Sequence, residues 1–256
     1  LLMEAISHAL YAAADKSPGR PELEGIYLEG DGDNLNLAAT DGHVMCWDQI
    51  NAVSGVSGLK LIVPKTAAKK LTSMGMDDDV TLSYDANGAI FKTDTYLIRT
   101  RIRNGKFVPY QKMFVNMENY AIVNREELIG AMTRAKMCTD ESVPAEFDIV
   151  GEEINVILQD KVTDYREKIM LKGPIEKPIR IGFDSRLVLE TIKAFTCENI
   201  TLNFFFAFDS DDRSGGRLRH ESAGPSSKIE RCVKMNKIDD KIKKLLEYDL
   251  HPTLRG

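Results

Sequence analysis

The chain has 256 residues, 43% hydrophobic and 29% charged, which is room for one large or two ordinary domains and the balance of a soluble globular protein. No apolar run nears the roughly 18 residues of a membrane span, and Glu4, Ser7 and His8 interrupt the apolar start, unlike a signal peptide. The net charge of −5 argues against a tight grip on nucleic acid, so any DNA contact is expected to be loose or confined to one surface.

Cys46, Cys138, Cys197 and Cys232 form no CxxC pair, which argues against a zinc ribbon or disulfide scaffold and suits a reducing cytoplasm. His43 and Cys46 are three apart, but no second pair accompanies them. Buried small residues are the expectation there, with no metal and no cofactor.

Along the chain, Leu2, Ile6, Ala9, Leu10 and Ala13 recur at helical spacing, which predicts a helix over 2–15. Strand patterns follow at 23–28 and 35–40, separated by the turn-rich Gly30-Asp31-Gly32-Asp33. Pro64 suits the first turn of a helix running to about residue 74. Strands are then expected at 80–84, 89–92 and 96–101, the first two joined through Asn87-Gly88 as a tight hairpin.

The pattern then repeats. Asn124 with Glu127 has capping-box spacing and opens a helix carrying Leu128, Met132 and Ala135 on one face. Strands are expected at 146–150 and 154–159, a helix from Asp184 with Val188, Leu189, Ile192 and Phe195, and strands at 200–208 and 229–235. Both helices of the second copy lie roughly 120 residues after those of the first, the mark of a duplicated unit. The expected class is α+β, with two helices packed on antiparallel sheet in each of two domains, 1–118 and 119–238. Residues 209–228, rich in Ser, Gly, Asp and Arg, read as a long mobile loop, and 239–256 as an extra tail with one short amphipathic helix.

Six segments carry a resemblance. They are Arg20-Pro21-Glu22-Leu23-Glu24-Gly25, Ala39-Thr40-Asp41-Gly42-His43, Leu61-Ile62-Val63-Pro64-Lys65, Asn104-Gly105-Lys106-Phe107 with Tyr110, Ile181-Gly182-Phe183 and Cys197-Glu198-Asn199-Ile200. In this order and at this spacing the chain resembles the beta sliding clamp of bacterial DNA polymerase III, in that family's second and third domains. The resemblance implies duplicated DNA-clamp domains in a ring that encircles duplex DNA without reading its sequence and tethers a polymerase, with no catalysis. Such a ring needs only a mildly positive, helix-lined inner wall, which accommodates the negative net charge.

The cations on or beside the helices are Lys16, Arg20, Lys65, Lys69, Lys70, Arg134, Lys136, Arg186 and Lys193, and the resemblance makes them DNA-facing. Ordinary solvated helix faces are the competing reading. The family also implies a cleft between the two domains, where polymerase and clamp loader dock short hydrophobic motifs. By position it contains Leu23, Thr40, Gly42, His43, Val44, Met45, Val108, Lys112, Met113, Val143, Leu187, Phe208, Lys234, Met235 and Asn236. Apolar and sulfur-bearing side chains suit an adaptable pocket, although Leu23, Met45 and Val143 equally suit plain core.

Departures from the family pattern are Val44 for a basic residue, Val108-Pro109 for Pro-Asp, Leu187 for an aromatic, and the tail. The family's first domain is not represented. A homo-oligomeric ring is expected, a trimer if the chain is complete and a dimer if a domain precedes it; the start on Leu1 favours a fragment. The alternative is a clamp-like interaction protein, of phage or plasmid type, that binds polymerase or host partners without encircling DNA. An enzyme is not expected, since P-loop, GxSxG, HExxH and dinucleotide signatures are all missing and Asp41 and His43 would diverge on a continuing strand.

Overall fold

A computed structural model describes residues 1–51, 55–73, 79–113, 119–138, 143–205, 215–220 and 231–235, with Phe205 and the last two segments described by backbone alone. The first half runs α1 (Leu2–Ala9), β1 (Gly25–Asp31), β2 (Asn34–Thr40), β3 (Val44–Asn51), β4 (Lys60–Pro64), α2 (Lys65–Ser73), β5 (Thr81–Tyr84), β6 (Gly88–Lys92) and β7 (Leu97–Arg101). A single 3-10 turn, Tyr110–Met113, leads to β8 (Asn119–Asn124). The second half runs α3 (Arg125–Cys138), β9 (Pro144–Val150), β10 (Glu153–Gln159), β11 (Asp164–Met170), β12 (Ile179–Asp184), α4 (Ser185–Lys193), β13 (Asn199–Phe205), β14 (Gly215–His220) and β15 (Arg231–Met235).

The duplication is explicit in the sheets. Strands β4-β1-β2-β3 lie side by side in the first half and β12-β9-β10-β11 in the second, the same order of corresponding strands. Likewise β5-β6-β7 corresponds to β13-β14-β15. A strand junction joins the halves: β3 pairs antiparallel with β15, Val44 opposite Met235 and Trp47 opposite Cys232. It merges two units into one eight-stranded sheet, β4-β1-β2-β3-β15-β14-β13-β8.

Each helix pair is buried between sheets. Met3, Ala5, Ile6 and Ala9 of α1 and Ala67, Ala68 and Leu71 of α2 share a core with Ile26, Leu28, Leu37, Cys46, Val63 and Phe91. In the second half, Leu128, Met132 and Ala135 of α3 and Val188, Leu189 and Ile192 of α4 pack with Phe147, Ile149, Ile154, Val156 and Leu202. Alternation then decides what the opposite face carries. With Ile26, Leu37, Cys46 and Val63 turned to the helices, Tyr27, Ala38, Met45, Trp47 and Ile62 line the outer face, where Phe107, Val108 and Tyr110 cover them.

Two sequence expectations change. The first helix ends at Ala9, gives one 3-10 turn over Leu10–Ala12, and turns extended at Ala13 (ψ 138°), ahead of Ser17-Pro18-Gly19. The expected loop at 209–228 contains a strand, because β14 has a partner on each side, β13 and β15, and pairing on both edges overrides a polar, glycine-rich composition. Among the described residues no helix is long and apolar enough to cross a membrane. The tail 239–256 lies outside the described residues.

Candidate peptide-binding and DNA-facing surfaces

The turn between β2 and β3 is built from Thr40, Asp41 and Gly42. The Thr40 hydroxyl donates to the Val44 carbonyl (2.6 Å) and accepts the Gly42 N–H (3.0 Å). Asp41 Oδ1 accepts the backbone N–H groups of His43 (2.8 Å) and Val44 (2.9 Å). Gly42 has φ 97°, a left-handed conformation that side chains resist. The strand therefore stops at Thr40 and the Asp41-Gly42-His43 part of the string is a turn, with the Asp41 carboxylate engaged by backbone rather than by the His43 ring. Its local result is parity: Val44 faces the helices and Met45 the outer face.

On that outer face the structure brings Met45, Val108 and Met113 together with Ala38, Ile62, Phe107 and Tyr110. Tyr27 stacks on Phe107 with ring centroids 4.8 Å apart, and Trp47 lies 6.4 Å from Tyr110. A polar lock fixes the covering segment. Glu29, on β1, accepts from the Tyr110 hydroxyl (2.8 Å) and the Gln111 amide (2.8 Å), with Lys60 Nζ 3.1 Å away. Burial pushes the Glu29 carboxyl up, but the bonds from Tyr110, Lys60 and Tyr27 and the Lys60 charge outweigh it, so its pKa falls below the usual value. Burial, then the adjacent Glu29 charge, pushes the Tyr27 phenol up to about 12.

The other cleft candidates are placed differently. Val44 belongs to the α1/α2 core and Val143 to the α3/α4 core, while Leu187, half-buried at the start of α4, packs against both. Leu23 is buried before β1, its carbonyl accepting the Ala14 N–H (2.9 Å), and it joins none of these clusters. His43 and Lys112 are exposed. Lys234 and Met235 hold register positions opposite Met45 and Val44 on β15. Phe208 and Asn236 lie outside the described residues. The candidates thus divide between an outer-face group around Met45 and helix-side positions around Leu187.

The cations divide as well. Lys65 Nζ donates to the Ala13 carbonyl (2.6 Å) and sits 2.9 Å from Asp15, whose carboxyl is held low by the Lys65 hydrogen bond and charge. Arg134 Nε donates to Glu167 (2.9 Å) and ties α3 to β11. Arg20 lies 3.4 Å from Glu22 and Lys69 3.9 Å from Asp15. Lys136 is half-buried; Lys16, Lys70, Arg186 and Lys193 are exposed, the last two on α4. Among the described residues no three metal-ligating side chains converge; the Cys46 thiol is buried and donates to the His8 carbonyl (3.6 Å), while His43 is exposed.

Residues 1–109 match the family described as DNA polymerase III beta subunit, central domain. The chain has the beta sliding clamp fold. Among curated proteins it is 22% identical over 211 residues to the beta sliding clamp of Synechococcus elongatus, covering 78% of this chain and 56% of that one. To the Escherichia coli K12 beta sliding clamp it is 22% identical, covering 70% of this chain and 50% of the relative. It superposes on a DNA polymerase sliding clamp from Pseudomonas aeruginosa with TM-score 0.80 at 18% identity, covering 91% of this chain and 62% of that one. A DNA polymerase III beta chain from Streptococcus pneumoniae gives TM-score 0.78 at 17% identity, covering 92% and 63%. The chain thus spans about half the length of the curated relatives it matches.

Against the clamp fold, the features sequence reading passed over are Tyr27, Glu29, Trp47 and Tyr110 as a lock. Their signal was available in part: Phe107 and Tyr110 are three apart in a segment flanked by polar residues, an aromatic pair with no helix or strand to explain it. Glu29 carried no such signal, since its partner Tyr110 is 81 residues away.

Proposed function

We propose that this chain works as part of a DNA sliding clamp, a non-catalytic processivity factor that encircles duplex DNA and tethers a replicative polymerase. The observation that carries this reading is the β3–β15 junction. In the duplicated unit β3 corresponds to β11 and β15 to β7, and both β11 and β7 end their sheets. The same antiparallel pairing can therefore recur at each edge with another clamp unit, and head-to-tail recurrence is the geometry that closes rings. Such a ring holds DNA by topology, so exposed Lys16, Lys70, Arg186 and Lys193 need only meet phosphates weakly and with strong salt dependence.

Retention on closed circular DNA against linearised DNA, together with the solution mass of the full-length protein, tests this. A closed oligomer that stays on circles and slips off linear ends is expected. A monomer with equal retention on both would leave the interaction-protein reading, which the internal commitments of Lys65 and Arg134 favour.

On this reading the partner-binding cleft lies at the rim of the outer-face group, around half-buried Met113 and exposed Lys112, next to Met45 and Val108. Its expected ligands are short hydrophobic motifs of polymerase and clamp loader. Replacing Met113 by Glu, at a half-buried position, should abolish binding of an apolar polymerase peptide while leaving the melting temperature within a few degrees. Unchanged affinity would move the cleft elsewhere.

A further inference from the structure

The small sheet β5-β6-β7 turns one face to solvent, and register and burial together fix what that face carries. Leu82, Ala89, Phe91 and Ile98 point inward to the α1/α2 core. Alternation therefore sends Gly88, Ile90 and Lys92 of β6 and Leu97, Arg99 and Arg101 of β7 to the opposite side. Lys92 stands opposite Leu97, Ile90 opposite Arg99 and Gly88 opposite Arg101. On this side β5 adds only hydroxyls, from Thr81 and Ser83. Lys92, Arg99 and Arg101 are exposed, and so is Leu97, at 63%.

The face thus holds cations and no carboxylate, in a chain whose net charge is −5. Among the described residues Lys92, Arg99 and Arg101 enter no ion pair. Asp85, in the β5–β6 turn, accepts the Asn87 and Gly88 N–H groups (2.8 Å each) and acts on Arg99 only through its charge. On the outer face of β9–β12, by contrast, Arg166, Lys168 and Arg180 each have a carboxylate within 3.0 Å. The uncompensated charge also borders an apolar pair, because Ile90 and Leu97 are diagonal neighbours across β6 and β7. Arginine beside exposed apolar side chains is the composition of a contact surface rather than of a solvated one.

We propose that this face docks an extended acidic segment of a partner protein, with carboxylates at alternate positions and an apolar residue beside them. Charge complementarity fixes the sign of the occupant. Leu97 and Ile90 fix its class, since a phosphate backbone has nothing apolar to lay on them. The spacing follows from the strand. Leu97, Arg99 and Arg101 recur at every second residue, about 7 Å apart. An extended peptide has the same period, so an apolar residue over Leu97 brings acids two and four positions away to Arg99 and Arg101. The face belongs to a different sheet from the Met45 group and lies opposite the helices, so it depends neither on the cleft nor on a DNA-facing wall.

The probes are two fluorescent peptides, Leu-Ser-Glu-Ser-Glu and Leu-Ser-Gln-Ser-Gln, titrated against the full chain. The acidic peptide is expected to bind at least about tenfold tighter at low salt, with the gap closing as salt rises. R99Q/R101Q should remove the gap, whereas M113E, aimed at the cleft, should leave it intact. Should R99Q/R101Q fail to fold, R99Q and R101Q are read singly, and each must narrow the gap. Equal affinities for the two peptides, or a gap that survives these variants, overturn the inference. A gap lost in M113E puts the peptide in the cleft and overturns it as well. A duplex oligonucleotide whose affinity falls in R99Q/R101Q makes the face a nucleic-acid surface, and the inference falls. It falls too if R99Q/R101Q converts an oligomer to a monomer, since the face is then a contact between copies of this chain.

Discussion

Sheet β4-β1-β2-β3 and its counterpart β12-β9-β10-β11 share strand order, and each packs one face on two helices, but their outer faces diverge. The first carries Tyr27, Ala38, Met45, Trp47 and Ile62 under the Phe107–Met113 segment. The second carries a charge mosaic: Lys168 pairs with Glu153 (2.7 Å), Arg166 with Asp164 (3.0 Å) and Arg180 with Glu146 (2.5 Å). A sheet face tolerates water only if it is polar, so an apolar outer face must be covered, and its cover makes a local ligand-ready surface. One unit has therefore kept its outside for solvent, and the other has given it over to a clasp beside the proposed cleft.

Detaching the clasp is the strongest way to break that difference. Tyr110 is 2% exposed and touches Tyr27, Trp47 and Phe107, so Tyr110→Ala should cost about 3–5 kcal/mol. The single tryptophan, Trp47, reports the loss directly by fluorescence in urea. A cost below about 1 kcal/mol would mean that the segment only rests on the sheet.

The lock beneath the clasp gives a smaller, pH-dependent effect. The Glu29 pKa is lowered on folding, so its contribution is full above the ordinary value of 4.5 and fades as the pH falls through the lowered value. Glu29→Gln should cost about 1–3 kcal/mol at neutral pH. In acid the variant and the wild type should converge, because both then present an uncharged group to Tyr110 and Lys60. Parallel stability curves from pH 7 to pH 3 would remove the carboxylate from the account. Tyr110→Phe, which keeps the ring and loses the 2.8 Å bond, should cost no more than Glu29→Gln, at about 1–2 kcal/mol.

What the sequence made legible follows the range of the interactions. Helix starts were readable because their signals are local: Asp184 caps α4 by accepting from the Arg186 and Leu187 N–H groups, and Asn124 Oδ1 accepts the Glu127 N–H (3.0 Å). Strands β1 and β2 were readable from alternation. Strand β3 was not, because Val44, Met45 and Cys46 are all buried, one face on helices and the other under the clasp, which erases the period. β11 was hidden by its charges, since Asp164, Arg166 and Lys168 face solvent and read as loop. The outer-face candidates Met45, Val108 and Met113 are more than sixty residues apart in part, and only the family resemblance put them on one list. Arg217 and Arg219 were assigned to a loop, because their strand exists through two partners rather than through its own composition.

The mosaic on the second unit yields the smallest effect and the sharpest control. Lys168 and Glu153 are both about half exposed, so their 2.7 Å pair competes with water and with the entropy of two long side chains. Lys168→Ala should change stability by less than about 0.5 kcal/mol, and added salt should shrink even that. A clasp substitution that costs several kcal/mol beside a mosaic substitution that costs almost nothing would show that corresponding faces of the duplicated unit are held by different physics. If Lys168→Ala instead destabilised by more than about 1 kcal/mol, the ion pairs would be acting as a network, and the second outer face would be a structural surface in its own right.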